Sequence, residues 1–347
     1  MSALPGSEIT PQFVEVPDRN HNIISELSIL ILMAHSRCNC RCVMCDIWRT
    51  AESRDLTLSD LEPHLASIRD LRVQWVVFSG GEPLMNPGLF VLAAALRKLN
   101  IRLTLLTAGL LIGKYASEIA ESMDEVIVSL DGPAVVHNEI RRVPHAFETM
   151  SAGIARVQSL SSNLPIRART TVQRSNHRCL RETVRVSREL GLASVSFLAA
   201  DVTSTAFNRE LIWPLARQEQ VALTHDEILS LGNEIEELIR EYGQEIATGF
   251  IAESPYKLRR IVRQFRAQLG LEAPIAPPCN APWVSAVIEV NGDIRPCFFH
   301  APIGKLGATN LKDALNSDRA LNFRRELQVD SNAVCKRCVC SLYRQRS

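Results

Sequence analysis

Residues 27–48 read LSILILMAHSRCNCRCVMCDIW. Leu27–Met33 is the most apolar stretch of the chain. It has the length of one buried strand and falls well short of the roughly 18 residues that a membrane span needs. Four cysteines follow directly, between Cys38 and Cys45. Cys38, Cys42 and Cys45 are spaced C-x3-C-x2-C, and Cys40 is out of that register and reads as a bystander. Three thiolates can hold three irons of a cubane and leave the fourth open to a small ligand, whereas a structural zinc site closes with four. A loop behind a strand also suits a site, because parallel α/β folds build theirs at the C-terminal ends of strands.

Working outward, β-rich runs alternate with helical patterns. Strands are expected at Leu27–Met33, Trp75–Phe78, Arg102–Thr107, Glu125–Ser129, Ile166–Val172 and Ser194–Leu198. Several are continuous Val/Ile/Leu runs, as when both faces of a parallel strand are covered. Helices are expected from Ser59, where Ser59 and Glu62 have capping-box spacing, and near Leu89–Leu99, Lys114–Ser122, Phe147–Leu160 and His177–Leu190. Six β-then-α units imply a parallel α/β architecture, an open sheet or a partial barrel. The alternation stops near residue 200. Two helices follow, over 224–242 with a Thr224/Glu227 capping box and over Pro255–Leu269. Ala273–Pro278 reads as a linker. Beyond it a hairpin is expected, Ser285–Val290 and Asp293–Cys297 about an Asn291-Gly292 turn.

Composition bounds the function. The chain has 347 residues, 46% hydrophobic and 22% charged, with a formal net charge of +1. That balance asks for neither nucleic acid nor an anionic membrane as partner. The N-terminus lacks a secretory signal, so the cytoplasm is the expected location. There, ten cysteines in dense clusters point to metal ligation rather than disulfides.

Three further features follow the first cysteines in order, and with them the chain resembles a radical S-adenosylmethionine (radical SAM) enzyme. They are Gly80-Gly81-Glu82-Pro83 after the second strand, Ser129-Leu130-Asp131-Gly132 after the fourth, and Arg141 twelve residues beyond Ser129. The resemblance implies a partial (β/α)6 barrel and a [4Fe–4S] cluster on Cys38, Cys42 and Cys45 that works with SAM. It implies that Gly81 and Glu82 meet the SAM amino group, that Ser129 and Arg141 meet its carboxylate, and that Met44 packs on the adenine. One departure is Thr107-Ala108-Gly109 where many relatives have Thr-Asn-Gly, which removes one polar contact.

Cys279, Gly292 and Cys297 form C-x12-G-x4-C, and Cys335 and Cys338 supply a C-x2-C. This resembles the SPASM and shorter twitch modules that carry auxiliary clusters. Four cysteines would saturate a second [4Fe–4S] cluster, and with only Cys340 left downstream a single, twitch-like cluster is expected. Cys340 could replace Cys338, and a zinc ribbon would suit the same four thiolates. The expected organisation is an N-terminal extension (1–22), a radical SAM core (23–205), a helical connector (206–275) and a small cysteine-rich α+β module (276–347).

The implied activity is hydrogen abstraction by a 5′-deoxyadenosyl radical from a small-molecule or peptide substrate. An electron donor such as flavodoxin or ferredoxin would serve it. Oxidation leads, with the auxiliary cluster taking the second electron. Epimerisation would use a thiol such as Cys179 as hydrogen donor. Maturation of a ribosomal peptide is weakened by the few residues before the first strand, too few for a leader-binding domain. A zinc-binding module is the non-enzymatic alternative. Asp201, Thr203 and Thr205 are candidates to face substrate, and His300 to tune the auxiliary cluster.

Overall fold

The computed structural model describes residues 22–344 except Asn208, Glu210 and Ala308, so residues 1–21 of the expected N-terminal extension lie outside the described residues. Six parallel strands are laid down in chain order: β1 (Ile29–His35), β2 (Trp75–Gly80), β3 (Arg102–Thr107), β4 (Glu125–Ser129), β5 (Ile166–Val172) and β6 (Ser194–Ala199). Each pairs with the next, giving the order β6-β5-β4-β3-β2-β1 expected of a partial (β/α)6 barrel. β1 starts two residues later than the apolar run and continues to His35, which bends its register against β2.

Side-chain alternation gives the sheet two faces. Leu30, Leu32, Val76, Phe78, Leu103, Leu105, Val126 and Val128 are fully buried. Each contributes roughly 1.5–3 kcal/mol when a large apolar side chain leaves water. Their neighbours Ile31, Val77, Leu106 and Ile127 are only partly covered and line the inner face. The helices run close to expectation, at Ala146–Leu160, Leu180–Glu189, His225–Glu241 and Pro255–Gln268. The Thr224/Glu227 capping box forms. The Ser59/Glu62 box does not: Thr57 caps instead, accepting from the Asp60 N–H while the Asp60 carboxylate accepts from the Thr57 N–H. Thr57 is extended and free to cap, whereas Ser59 already lies inside the helix.

The C-terminal hairpin does not stand apart. β7 (Ser285–Ile288) pairs in parallel with β1, from Ile29 opposite Ser285 to Leu32 opposite Ile288. β8 (Asp293–Arg295) and β9 (Gly304–Lys305) continue the sheet antiparallel, and Gly292 turns the hairpin at φ +86°. β1, otherwise an edge strand with unpaired backbone groups, is thereby closed. The second cysteine set is thus mounted on the same sheet as the first. Among the described residues no helix is long and apolar enough to cross a membrane.

Candidate active site

The cysteine loop leaves β1 against a glycine floor. The Gly81 N–H donates to the His35 carbonyl at 2.8 Å and the Glu82 N–H to the Arg37 carbonyl at 2.9 Å. A Cβ on Gly81 would stand 1.9 Å from the Arg37 oxygen, so only glycine lets the strands approach this closely. The Glu82 carboxylate is fully buried and committed: it accepts from the Thr107 hydroxyl and the Ala108 N–H, each at 2.8 Å, and from the Leu84 N–H at 3.1 Å. Burial pushes its pKa up, and those donors and Arg141 oppose the shift. Glu82 therefore ties the end of β2 to the Thr107-Ala108-Gly109 turn, and any amino group it meets shares it with three internal donors.

All four thiols of the loop gather in one apolar pocket with Met44, Ala108, Leu110 and Val143. The three in register each have an N–H aimed at sulfur. Ile47 donates to Cys45 Sγ at 3.4 Å, Cys40 to Cys38 Sγ at 3.5 Å, and Arg141 Nη1 to Cys42 Sγ at 3.5 Å. Such donors favour thiolates. The Cys42 thiol is pulled down to about 7, first by a hydrogen bond from Cys40 and then by Arg141, against its burial. Burial pushes Cys45 up to about 12. Cys40, out of register in sequence, is buried between Cys38 and Cys42 and bonded to both, which drives its own pKa up.

Arg141, expected to hold a carboxylate, sits at the end of the Ala134–Arg141 helix and already holds one. Its Nη2 lies 2.6 Å from Asp131, and both groups are buried. Burial disfavours its charge, yet Asp131 and Cys42 keep it protonated above the ordinary range. The helix end also receives the loop, since the Arg41 N–H donates to the Arg141 carbonyl and the Val43 N–H to the Ile140 carbonyl. Arg141 thus joins the cysteine loop to the Ser129-Leu130-Asp131-Gly132 strand end. Its Nε has no hydrogen-bond partner among the described residues.

A strap that sequence reasoning passed over crosses the loop. Arg209 pairs with Asp201 at 2.8 Å, both almost fully buried, and its Nη2 donates to the Met44 carbonyl. Arg217 donates to the Val43 carbonyl at 2.6 Å. Both guanidinium groups lie over the Trp213 ring, 4.0 and 4.5 Å from its centre, and the Trp213 Nε1 donates to Asp46 at 2.5 Å. Met44 packs on this strap beside Ala200, Val202, Trp213 and Val221. The signal was present as arginines four residues either side of a tryptophan. Asp201 and Thr203, expected to face substrate, belong to this brace, as the Thr203 N–H donates to Asp201.

Five cysteines, Cys279, Cys297, Cys335, Cys338 and Cys340, line a cavity of about 240 Å³ whose opposite wall is the inner face of β1–β5. Burial pushes Cys335 up to about 12 and Cys340 to about 11, and raises Cys297 and Cys338 too. His300 Nε2 stands 3.4 Å from Cys335 Sγ and its ring packs edge-on to Phe323. Burial lowers its pKa, keeping it neutral beside that sulfur. Arg260 and Gln264 of the Pro255–Gln268 helix donate to the Cys338 and Arg337 carbonyls, each at 2.7 Å. Cys179 lies elsewhere, at the start of the Leu180–Glu189 helix near Glu182 and Glu234, with its thiol raised by partial burial.

The donor sets fit clusters. Among the described residues no three His, Cys, Asp or Glu side chains close on one ion-sized point. Cubane ligation asks no such closure, since each thiolate takes a different corner iron.

A parallel partial barrel with three thiols at its strand ends and a second thiol set on the extended sheet defines an iron–sulfur enzyme of the radical SAM class. The radical SAM superfamily profile matches residues 34–197, and an iron–sulfur cluster-binding SPASM domain matches residues 279–339. The chain belongs to the radical SAM superfamily and carries a SPASM domain, which together bring a [4Fe–4S] cluster that works with SAM and an auxiliary cluster. It is 28% identical to an AdoMet-dependent heme synthase of Methanosarcina barkeri over 198 residues, 53% of this chain and 56% of that protein. It is 23% identical to the PqqA peptide cyclase of Gluconobacter oxydans over 84% of this chain and 75% of that one. The chain thus spans only about half of the heme synthase. Its fold is similar to Streptococcus suis SuiB bound to its precursor peptide SuiA, with TM-score 0.63, 18% identity, and 94% of this chain and 74% of that chain covered. It is also similar to anSMEcpe with bound AdoMet, with TM-score 0.61, 19% identity and coverage of 86% and 82%.

Proposed function

We propose that this chain oxidises a small-molecule or peptide substrate, and that its two cysteine sets serve the two ends of that oxidation. The observation that carries this is the cavity. Its walls are the barrel's inner face, below the first thiol set, and the auxiliary thiols themselves. When bound, the first cluster and SAM supply a 5′-deoxyadenosyl radical that takes a hydrogen atom from an unactivated C–H bond. The chain's own residues do the rest. Cys38, Cys42 and Cys45 offer three thiolates and leave one iron free. Arg141 keeps a positive charge beside Cys42, Met44 and Trp213 wall the loop from water, and the apolar inner face seats the substrate. Ser129, at the top of β4, and the backbone of Gly81 are the groups left to meet SAM.

Loss of one hydrogen atom, one further electron and one proton makes the net change a two-electron oxidation, for which the auxiliary set is the exit. The test is product analysis with reductant, SAM and substrate in deuterated water. A product two hydrogens lighter, without solvent deuterium on carbon, is expected. A product one mass unit heavier, with deuterium at an inverted carbon, would make the enzyme an epimerase and overturn the proposal.

The match to a peptide cyclase over 84% of the chain favours a second reading, an intramolecular peptide crosslink. It is the same oxidation ending in a new bond, and fragmentation of the product separates the two.

A further inference from the structure

We propose that Arg169 is the anion-binding group of the cavity, and that the substrate presents a carboxylate to it. This rests on the oxidation proposed above, because it assigns the substrate's place in the same cavity.

β5 buries Ile166, Ala168, Thr170 and Val172 and turns Arg167, Arg169 and Thr171 to the inner side. The two arginines are in opposite situations. Arg167 is matched: its Nε donates to Glu125 at 2.5 Å, its Nη1 to the Ser194 hydroxyl at 2.9 Å, and Arg102 also pairs with Glu125. Arg169, two residues nearer the cysteine loop, makes no ion pair and no side-chain hydrogen bond among the described residues. It lines the cavity, where the facing barrel residues Ile31, Val77, Leu106 and Ile127 are apolar. Its charge acts on Cys340 across the cavity and on Glu253 at the β6 edge, lowering the pKa of each against the stronger effect of burial.

Arg169 is the exposed side chain of β5, its guanidinium is uncommitted, and a planar fork of this kind matches a carboxylate in two parallel hydrogen bonds. The register supplies the surroundings. Ser129 on β4 and Ser196 on β6 are the direct neighbours of Arg169 across the two ladders. An anion held there sits level with the end of β4, between the SAM side and the auxiliary thiols. The same chemistry fits a peptide's terminal carboxylate and a small dicarboxylic acid.

The test is arginine-directed labelling with phenylglyoxal on the cluster-loaded, SAM-saturated chain, read residue by residue by mass spectrometry. Glutarate is expected to slow labelling at Arg169 about threefold at twice its dissociation constant, and dimethyl glutarate to leave it unchanged. Acetyl-Ala-Ala-Ala as free acid and as amide forms the peptide arm. Protection by the acid alone supports a chain-terminal carboxylate, and protection by glutarate alone supports a small acid. No protection by either, or equal protection by ester and amide, overturns the proposal.

Arg169→Gln and Arg169→Lys close two other assignments. A KM for SAM raised about tenfold in substrate-free cleavage, a loss of about 1.4 kcal/mol, would give the guanidinium to SAM and overturn the proposal. A shifted auxiliary-cluster potential without glutarate protection of the wild-type chain would reduce Arg169 to charge compensation, and would overturn it equally. Failure of the proposed oxidation itself would show separately, as a product with solvent deuterium at an inverted carbon while glutarate still protects Arg169.

Discussion

The two cysteine sets are built on one sheet but in different ways. The first is fixed from every side: a glycine floor beneath it, Arg141 beside Cys42, and the Arg209–Trp213–Arg217 strap across it. Its three in-register thiols each receive an N–H, and Cys42 is poised to ionise near neutrality. The second set carries five thiols on the hairpin ends and the C-terminal segment, several of them pushed up by burial. A site that must keep one iron open needs a rigid three-point rim. A site that only passes electrons or holds the fold tolerates a surplus thiol. Both loops nevertheless hang from one stretch of chain, since Arg209 and Arg217 hold carbonyls of the first and Arg260 and Gln264 carbonyls of the second.

The largest effect expected breaks the comparison outright. Cys42→Ala should abolish 5′-deoxyadenosine formation, while Cys335→Ala should leave SAM cleavage measurable. Chromatographic assay of 5′-deoxyadenosine with dithionite as reductant reads both. Equal loss in the two variants would contradict the division of labour.

That division was legible in sequence because it is written locally. C-x3-C-x2-C, the glycine pair and C-x12-G-x4-C each occupy a dozen or so residues, and the strands carry continuous apolar runs. What stayed hidden was long-range. Nothing local says that β7 pairs with β1, 250 or more residues away, or that Arg209 reaches Met44. Arg167 and Arg169 look alike in sequence, and only the register with Glu125 separates the paired one from the unpaired one. Cys40 shows the limit within a motif, because spacing put it out of register while the folded loop brought its thiol against two ligands.

A middle-sized effect tests the shared mounting. Arg209→Ala leaves Asp201 buried without its partner and should cost about 3 kcal/mol of stability. It should also release iron from the first set, so that SAM cleavage falls with iron content. Arg260→Ala removes one hydrogen bond to the Cys338 carbonyl and should cost about 1 kcal/mol. Iron should then be lost with SAM cleavage retained. Iron per chain after desalting, paired with the 5′-deoxyadenosine assay, reads both variants. The same loss pattern in both would mean that the connector does not hold the loops separately.

The smallest effect concerns the mounting of the second set alone. Glu253 lies just before the helix that carries Arg260 and Gln264, and its carboxylate accepts from the Phe197 N–H on β6 at 2.9 Å. Burial pushes its pKa up to about 7, with that N–H, Arg169 and Lys257 opposing. A carboxyl raised on folding favours the folded state in its protonated form. Its contribution is therefore complete below about 4.5, its unfolded value, and is lost as pH rises through about 7. The loss amounts to roughly 3 kcal/mol at most. Glu253→Gln keeps an acceptor for the Phe197 N–H but cannot ionise. Denaturant melts should therefore show the variant's stability staying flat between about pH 5 and 7, where the wild-type chain weakens relative to it. If the mount is what weakens, auxiliary iron is lost with rising pH in the wild type and retained in the variant, while the first set, strapped from above and floored by glycine, keeps its iron in both.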